Sequence, residues 1–158
     1  MGHSLDFSVQ IGKRFDRIGV QLAVFIRCLL YTSFSGLTWD YEKKREVGIS
    51  FWTSVSDYMQ DWKDVYEGKK KAYVIRQDSL SSLSITIKGL GTVGNEILRQ
   101  APDTVNTALS RLTTIDWHKN GPLWKEGIVV DGSVVSSRAT QKMMESILRN
   151  AIRGAANG

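Results

Sequence analysis

Cysteine and proline are scarce in this sequence, and each shortage excludes a class of protein. The single cysteine, Cys28, cannot form an internal disulfide or a site with several thiolate ligands. The two prolines, Pro102 and Pro122, lie late in the chain, so the long stretches before them are free to be helical. The longest apolar run, residues 20–31, has polar interruptions and is too short to cross a bilayer. A disulfide scaffold, a zinc finger and a membrane-spanning protein are therefore not expected.

What the sequence does contain is the balance of a globular domain. Its 158 residues match the usual size of one domain, so we predict a single domain over residues 1–158. Apolar residues make up 42% and charged residues 23%, which argues against a disordered chain. The N-terminus lacks the basic and then apolar segments of a secretion signal, so we expect a cytoplasmic protein. A net charge of +5 favours a polyanionic partner, although many proteins share such a charge.

Apolar residues recur at helical spacing and predict a mainly α fold, a compact domain of about five helices. The first helix would bury a stripe formed by Phe15, Ile18, Leu22, Phe25 and Leu29. A second helix is predicted from Thr38 or Trp39, with Asp40 near the positive end of its dipole, to a C-terminal cap at Gly68. Its apolar stripe comprises Val47, Phe51, Val55, Met59 and Trp62.

Three further helices are predicted before residue 116. A short helix runs through Tyr73–Gln77 and a long one through Leu83–Ile97, although three glycines weaken the second pattern. Pro102 suits the first turn of the helix that follows, whose apolar residues are Val105, Leu109 and Leu112.

The last part of the chain predicts a loop and then a helix. Residues 116–136 carry glycines and tryptophans, and apolar pairs flank Asp131 and Gly132, so a loop with a short hairpin is expected. The final helix would be capped by Ser136 or Ser137 and end at Gly154. Its buried residues would be Met143 or Met144, Ile147, Leu148 and Ile152.

Three glycines of the long helix, Gly89, Gly91 and Gly94, also match the G-x-G-x-x-G pattern of dinucleotide-binding loops. Residues 82–88 alternate with polar side chains, whereas a central parallel strand is continuously apolar. Small residues at these spacings also suit a helix that packs closely against another helix. We therefore favour the close-packed helix over nucleotide binding.

The chain has no set of residues typical of catalysis or metal binding. Cys28 lies in the first apolar stripe, where an inert buried thiol is expected. His3 is near a terminus, and His118, two positions after Asp116, has no nucleophile paired with it locally. We therefore expect no enzyme activity, no cofactor and no metal.

Clusters of basic residues are the strongest candidates for binding. The cations predicted to contact nucleic-acid phosphates are Lys43, Lys44, Arg45, Lys69, Lys70, Lys71, Arg138 and Lys142. Arg149 and Arg153 follow at spacings that suit the same face of the last helix. The alternative is that each cluster forms an ordinary solvated face.

Tryptophans can anchor a core or stack on unpaired bases. Trp52 and Trp62 lie on an apolar helical stripe, so we predict that they are buried. Trp117 and Trp124 lie in the glycine-bearing loop, where we expect their rings to pin the loop to the body of the fold.

Three ordered segments of the chain carry a family signature. The first segment is Phe51–Trp62, with its Phe-Trp and Asp-Trp pairs, and the second is the small-residue helix Leu83–Leu98. The third segment is the loop, which contains Leu112–Trp117, Asn120–Trp124 and Gly132–Ser137. Together they resemble the C-terminal region of DNA-sulfur-modification proteins of the DndB type, also called DGQHR-domain proteins. The resemblance is firm from residue 51 onward.

The sequence also departs from that family. Members are typically longer and carry an N-terminal domain named for an Asp-Gly-Gln-His-Arg motif, whereas Asp131 and Gly132 are followed here by serine and valine. His118 and Lys119 stand where the family usually has serine and arginine. The chain therefore resembles a C-terminal half.

The resemblance implies a part in DNA phosphorothioation, the replacement of a backbone oxygen of bacterial DNA by sulfur. It implies a bacterial, cytoplasmic, DNA-binding module of a transcriptional repressor, with double-stranded DNA as its partner. Other sulfur-modification proteins are further candidate partners, and an oligomer is compatible with this function. The alternative is a helical protein-interaction module that docks the missing N-terminal domain or another subunit.

The loop residues of the family motif are Asp116, Trp117, Trp124, Gly132, Ser136 and Ser137. We interpret them as scaffold, with Asp116 capping backbone amides at a turn. A stacking role for the tryptophans is the alternative interpretation.

Overall fold

The computed structural model describes residues 36–154, and these residues form a mainly helical fold. The helices are α1 (Tyr41–Tyr58), α2 (Gln60–Tyr66), α3 (Ala72–Asp78), α4 (Ser84–Gln100), α5 (Val105–Ser110) and α6 (Arg138–Arg153). Two 3₁₀ turns flank α5, namely Pro102–Thr104 and Arg111–Thr114. The predicted helical fold class is therefore confirmed. The predicted first helix, which contains Cys28, lies outside the described residues.

A short hairpin precedes α6, as the sequence predicts. Its strands are β1 (Val129–Val130) and β2 (Ser133–Val134), which pair antiparallel. Asp131 and Gly132 form the turn with φ of +50° and +75°. Left-handed backbone at both central residues is the geometry that an Asp-Gly pair favours in a two-residue hairpin.

The N-terminus of α1 is fixed by a side-chain cap. The Asp40 Oδ1 accepts a hydrogen bond from the backbone N–H of Lys43 at 2.8 Å, which satisfies one of the free donors of the first turn. The helix therefore begins after Asp40, slightly later than the predicted start at Thr38 or Trp39.

The predicted second helix is two helices, because the chain bends at Met59. This residue is extended, with φ −93° and ψ 98°, while its N–H still donates to the Val55 carbonyl at 2.9 Å. The rings of Trp52 and Trp62, on either side of the bend, stack with centroids 6.5 Å apart. Gly68, at φ +76°, follows the end of α2 as predicted.

Helices α4 and α6 pack side by side and run parallel. Near their N-termini the side-chain amide of Gln141 donates to the Ile85 carbonyl at 3.3 Å. Near their C-termini the Arg153 guanidinium donates to the side chain of Gln100 at 3.0 Å. The N-termini of both helices therefore lie at the same end of the pair.

The glycines of the G-x-G-x-x-G pattern are packing residues inside α4. A Cβ on Gly89 would lie 2.8 Å from the Leu148 Cδ1 of α6, and a Cβ on Gly94 would clash with the ring of Phe51. Close approach of the helices therefore requires glycine at these positions. The close-packed helix is confirmed, and the pattern forms no phosphate-binding turn.

The buried apolar residues form one core, to which the predicted stripes contribute. Trp52 and Trp62 are buried in it, as predicted, and so are Met144, Leu148 and Ile152 of α6. Within residues 36–154, no helix combines the length and the apolar character that crossing a membrane would need.

Candidate functional site

The loop between the second 3₁₀ turn and α6, residues 115–137, contains most of the predicted motif residues. Two tryptophans attach it to the core: Trp124 is fully buried and Trp117 is 7% exposed. Their rings stack with centroids 5.6 Å apart and planes 19° from parallel. The Trp117 carbonyl accepts a hydrogen bond from the Leu80 N–H at 2.9 Å. The rings thus occupy the position expected of residues that pin the loop.

Asp116 organises a tight turn in this loop. Its Oδ1 accepts the backbone N–H of His118 at 3.0 Å, and its carbonyl accepts the indole N–H of Trp124 at 2.7 Å. A Cβ on Gly121 would lie 2.9 Å from the His118 carbonyl oxygen and 3.1 Å from the Asp116 Oδ2. The turn therefore depends on an aspartate that caps a backbone amide and on a glycine that permits close approach.

The last motif residues form the start of α6. The Ser137 Oγ accepts the backbone N–H of Thr140 at 3.1 Å, and the Thr140 Oγ1 accepts the backbone N–H of Ser137 at 2.9 Å. This reciprocal pair is a capping box, so Ser137 and not Ser136 caps the helix. Ser136 is exposed.

The first basic cluster lies in the first turns of α1. Lys43 is exposed, and Lys44 and Arg45 are half-buried. The Arg45 guanidinium lies 3.9 Å from the Glu42 carboxylate. Within residues 36–154, neither Lys43 nor Lys44 has an acidic partner. This cluster therefore retains two cations that no acidic side chain of the described residues compensates.

The second basic cluster is mostly engaged in ion pairs. The Lys70 ammonium lies 3.0 Å from the Asp64 carboxylate and 3.5 Å from that of Asp61, and Lys69 pairs with Glu67. The hydrogen bond with Asp64 raises the pKa of Lys70.

Asp61 and Asp64 also bind other polar groups. The Asp61 Oδ2 accepts the hydroxyls of Ser79 and Ser81 at 2.6 and 2.9 Å. Burial raises the pKa of Asp64, but hydrogen bonds from Gln60 and Lys70 outweigh it, so this pKa lies below its ordinary value. Lys70 therefore completes a polar network that joins α2 to the segment before α4.

Lys71 differs from the other two lysines of this cluster. It is exposed, and in the part of the chain that the structure describes it has no acidic partner. Lys71 is therefore the member of the cluster that is available to an external anion.

Four cations of α6 lie along one face. At 3.6 residues per turn they fall within a sector of roughly 60°, and we call this set the α6 stripe: Arg138, Lys142, Arg149 and Arg153. Arg138 and Lys142 are exposed and have no acidic partner within residues 36–154. Among the residues that the structure describes, the N-terminal half of the stripe therefore carries positive charge with no paired carboxylate.

Glu96 of α4 pairs with both arginines in the C-terminal half of the α6 stripe and offsets one of their two positive charges. The Arg149 Nε and Nη2 donate to its two carboxylate oxygens at 2.9 and 2.7 Å, and the Arg153 Nη2 lies 3.5 Å from it. The hydrogen bond from Arg149 lowers the pKa of Glu96, so the carboxylate is ionised at neutral pH. Sequence reasoning missed this residue, because Glu96 and Arg149 are 53 positions apart.

An open groove of about 470 Å³ lies where α4 and α6 end. Arg111 and Arg153 line it, but the Arg111 Nη1 donates to the Ile152 carbonyl at 2.7 Å, and Arg153 binds Glu96 and Gln100. In the free protein both guanidinium groups are bound by groups of the fold, so we assign no ligand to the groove itself.

Of the residues considered for catalysis, the structure describes Asp116 and His118. Among the described residues there is no group of three or more histidine, cysteine or acidic side chains placed to hold a metal ion. The His118 Nδ1 accepts the backbone N–H of Asn120 at 3.2 Å, which is a loop contact. His3 and Cys28 lie outside the described residues.

Comparison with known proteins identifies a family for most of the chain. The model of the DndB family, described as DNA-sulfur modification-associated, matches residues 16–154. No curated protein and no solved structure shows significant similarity to the sequence. The family match covers every motif residue and every basic cluster described above.

Proposed function

The chain belongs to the DndB family of DNA-sulfur modification-associated proteins, and from this premise we propose that it is a DNA-binding regulatory module of the bacterial sulfur-modification system. In this proposal the chain contacts the phosphates of double-stranded DNA and forms part of a cytoplasmic transcriptional repressor. The proposal assigns it no catalytic step and no cofactor.

The observation that carries the proposal is the uncompensated charge at the start of α6. Arg138 and Lys142 lie one helical turn apart, both are exposed, and no carboxylate of residues 36–154 pairs with either. The N-terminus of α6 adds partial positive charge beside Arg138. Cations in such a group suit the evenly spaced phosphates of a duplex. Lys43, Lys44 and Lys71 are further candidates, whereas the pairing of Lys69 and Lys70 weakens the case for those two.

The test is binding of the 158-residue chain to a labelled DNA duplex across a salt series. Each phosphate contact adds about 0.9 to the slope of log affinity against log salt. We expect the wild type to show a slope of several units. The double variant Arg138→Gln/Lys142→Gln should bind more weakly, and its slope should be smaller by about two.

Lys69→Gln is the matched control for Lys142→Gln. Each substitution removes one positive charge, but Lys69 is paired with Glu67 and Lys142 is not. A general effect of net charge would weaken binding equally in the two single variants and would contradict the assignment of the α6 stripe. No binding at low salt by a chain shown to be folded would overturn the DNA-binding function.

A specific observation favours the alternative of a protein-interaction module. Val130, Val135 and Met143, on the hairpin and at the start of α6, are 48%, 38% and 39% exposed. Exposed apolar side chains on neighbouring elements of one region are a feature of docking surfaces. If the folded chain fails to bind DNA, this surface becomes the first candidate for binding another subunit of the system.

A further inference from the structure

Arg149 and Arg153 hold one carboxylate in the manner in which arginines hold a phosphate. Arg149 binds Glu96 through two parallel N–H···O bonds of 2.9 and 2.7 Å, and Arg153 approaches the same carboxylate at 3.5 Å. The planar guanidinium group matches carboxylate and phosphate oxygens with the same forked geometry. The pair is therefore shaped to take a phosphate group if the carboxylate leaves.

The position of these arginines connects them with the proposed DNA contacts. They continue the α6 stripe beyond Arg138 and Lys142, on the same side of the helix. The side chains of Arg149, Arg153 and Glu96 are 35%, 36% and 31% exposed, so a polyanion can approach the cluster from solvent. A duplex that follows the stripe would bring its phosphates to the site that Glu96 occupies.

We propose that Arg149 and Arg153 form a second phosphate-binding site on α6, for a DNA phosphodiester, and that Glu96 masks this site in the free protein. The proposal rests on the proposed DNA-binding function and adds a control on its strength. The ionised carboxylate occupies the guanidinium donors and repels an approaching phosphate. The DNA affinity of the wild type is therefore lower than the four cations of the α6 stripe would allow.

The test is Glu96→Gln, measured against the same labelled duplex across the same salt series. The amide is uncharged and close in size, so it releases the arginines without leaving a cavity. We expect DNA affinity at low salt to rise by about tenfold, and the slope of log affinity against log salt to increase by between about one and two. Circular dichroism and thermal melting establish that the variant is folded.

Two controls separate unmasking from a change in overall charge. Glu46→Gln on α1 raises the net charge by the same amount, at an exposed glutamate without an ion pair in the described part of the chain. We expect it to change affinity by less than about threefold. In Glu96→Gln/Arg149→Gln/Arg153→Gln the gain should disappear, because the released arginines are absent.

Each outcome decides one proposal or both. If the wild type binds DNA and Glu96→Gln binds no better than Glu46→Gln, the masked site is wrong and the proposed function stands. If the triple variant keeps the gain, the arginines do not bind the phosphate and the masked site is again wrong. If neither the wild type nor Glu96→Gln binds DNA when folded, both the masked site and the DNA-binding function are wrong.

Discussion

Trp124 is the side chain on which the loop before α6 most depends. It is fully buried, its indole N–H donates to the Asp116 carbonyl, and its ring stacks on that of Trp117. Its own carbonyl accepts backbone N–H groups from Ile128 and Val129 at 3.2 and 2.9 Å. One residue thus joins the core, the Asp116 turn and the hairpin.

Replacing this tryptophan should cost stability. We expect Trp124→Ala to lower the free energy of unfolding by about 3–5 kcal/mol, because it leaves a large cavity in the core. Urea unfolding followed by circular dichroism measures the change. The control is Leu123→Ala at the adjacent residue, which is 46% exposed and should change the free energy by less than about 0.5 kcal/mol. A loss of DNA affinity in Trp124→Ala without loss of stability would instead favour stacking on a base.

At the scale of single elements, the start of α6 allows two adjacent serines, Ser136 and Ser137, to be compared as helix caps. Ser137 caps the helix through the reciprocal hydrogen bonds with Thr140, whereas Ser136, which is also exposed, stands one position before the cap. The cap holds the first turn in place, and that turn carries Arg138. Capping therefore contributes both to stability and to the position of a proposed phosphate contact.

We expect Ser137→Ala to lower the free energy of unfolding by about 1 kcal/mol, because the backbone N–H of Thr140 loses its side-chain acceptor and the capping box is broken. Ser136→Ala, one position earlier, should have almost no effect. Chemical denaturation of both variants measures the difference. Equal effects of the two substitutions would show that the capping box adds nothing to stability.

At the scale of the whole molecule, one contact between α4 and α6, the ion pair of Glu96 with Arg149, depends on an ionised carboxylate. The pKa of Glu96 in the folded protein lies below its ordinary value of 4.5, because Arg149 binds the charged form. A group whose pKa is lowered by folding stabilises the protein above its unfolded pKa, and this contribution is lost as pH falls through the folded pKa.

Acid should therefore reduce the difference between the wild type and Glu96→Gln. At neutral pH we expect the wild type to be the more stable protein, since the glutamine cannot form the charged pair. As pH falls below about 4.5, the stability that Glu96 contributes should disappear and the two proteins should converge. Urea unfolding at several pH values measures this. A difference independent of pH would contradict a charged contact at Glu96.

The sequence by itself determined the local elements of the fold. Helical spacing of apolar residues predicts α3, α4 and α6, the Asp131 and Gly132 pair predicts the hairpin turn, and the loop tryptophans are predicted to pin the loop. These signals are local, because each depends on residues within a few positions of one another. No local sequence signal predicts that the helix ends before Met59, since the apolar stripe continues through this residue.

Only the tertiary structure decided which cations are available to a partner. Lys69, Lys70, Arg149 and Arg153 have carboxylate partners, whereas Arg138 and Lys142 have none within residues 36–154. In sequence these basic residues look alike. The packing of α4 against α6 brings Glu96 to Arg149 across 53 positions. Coulombic pairing depends on distance in space, and that distance is set by how the helices pack.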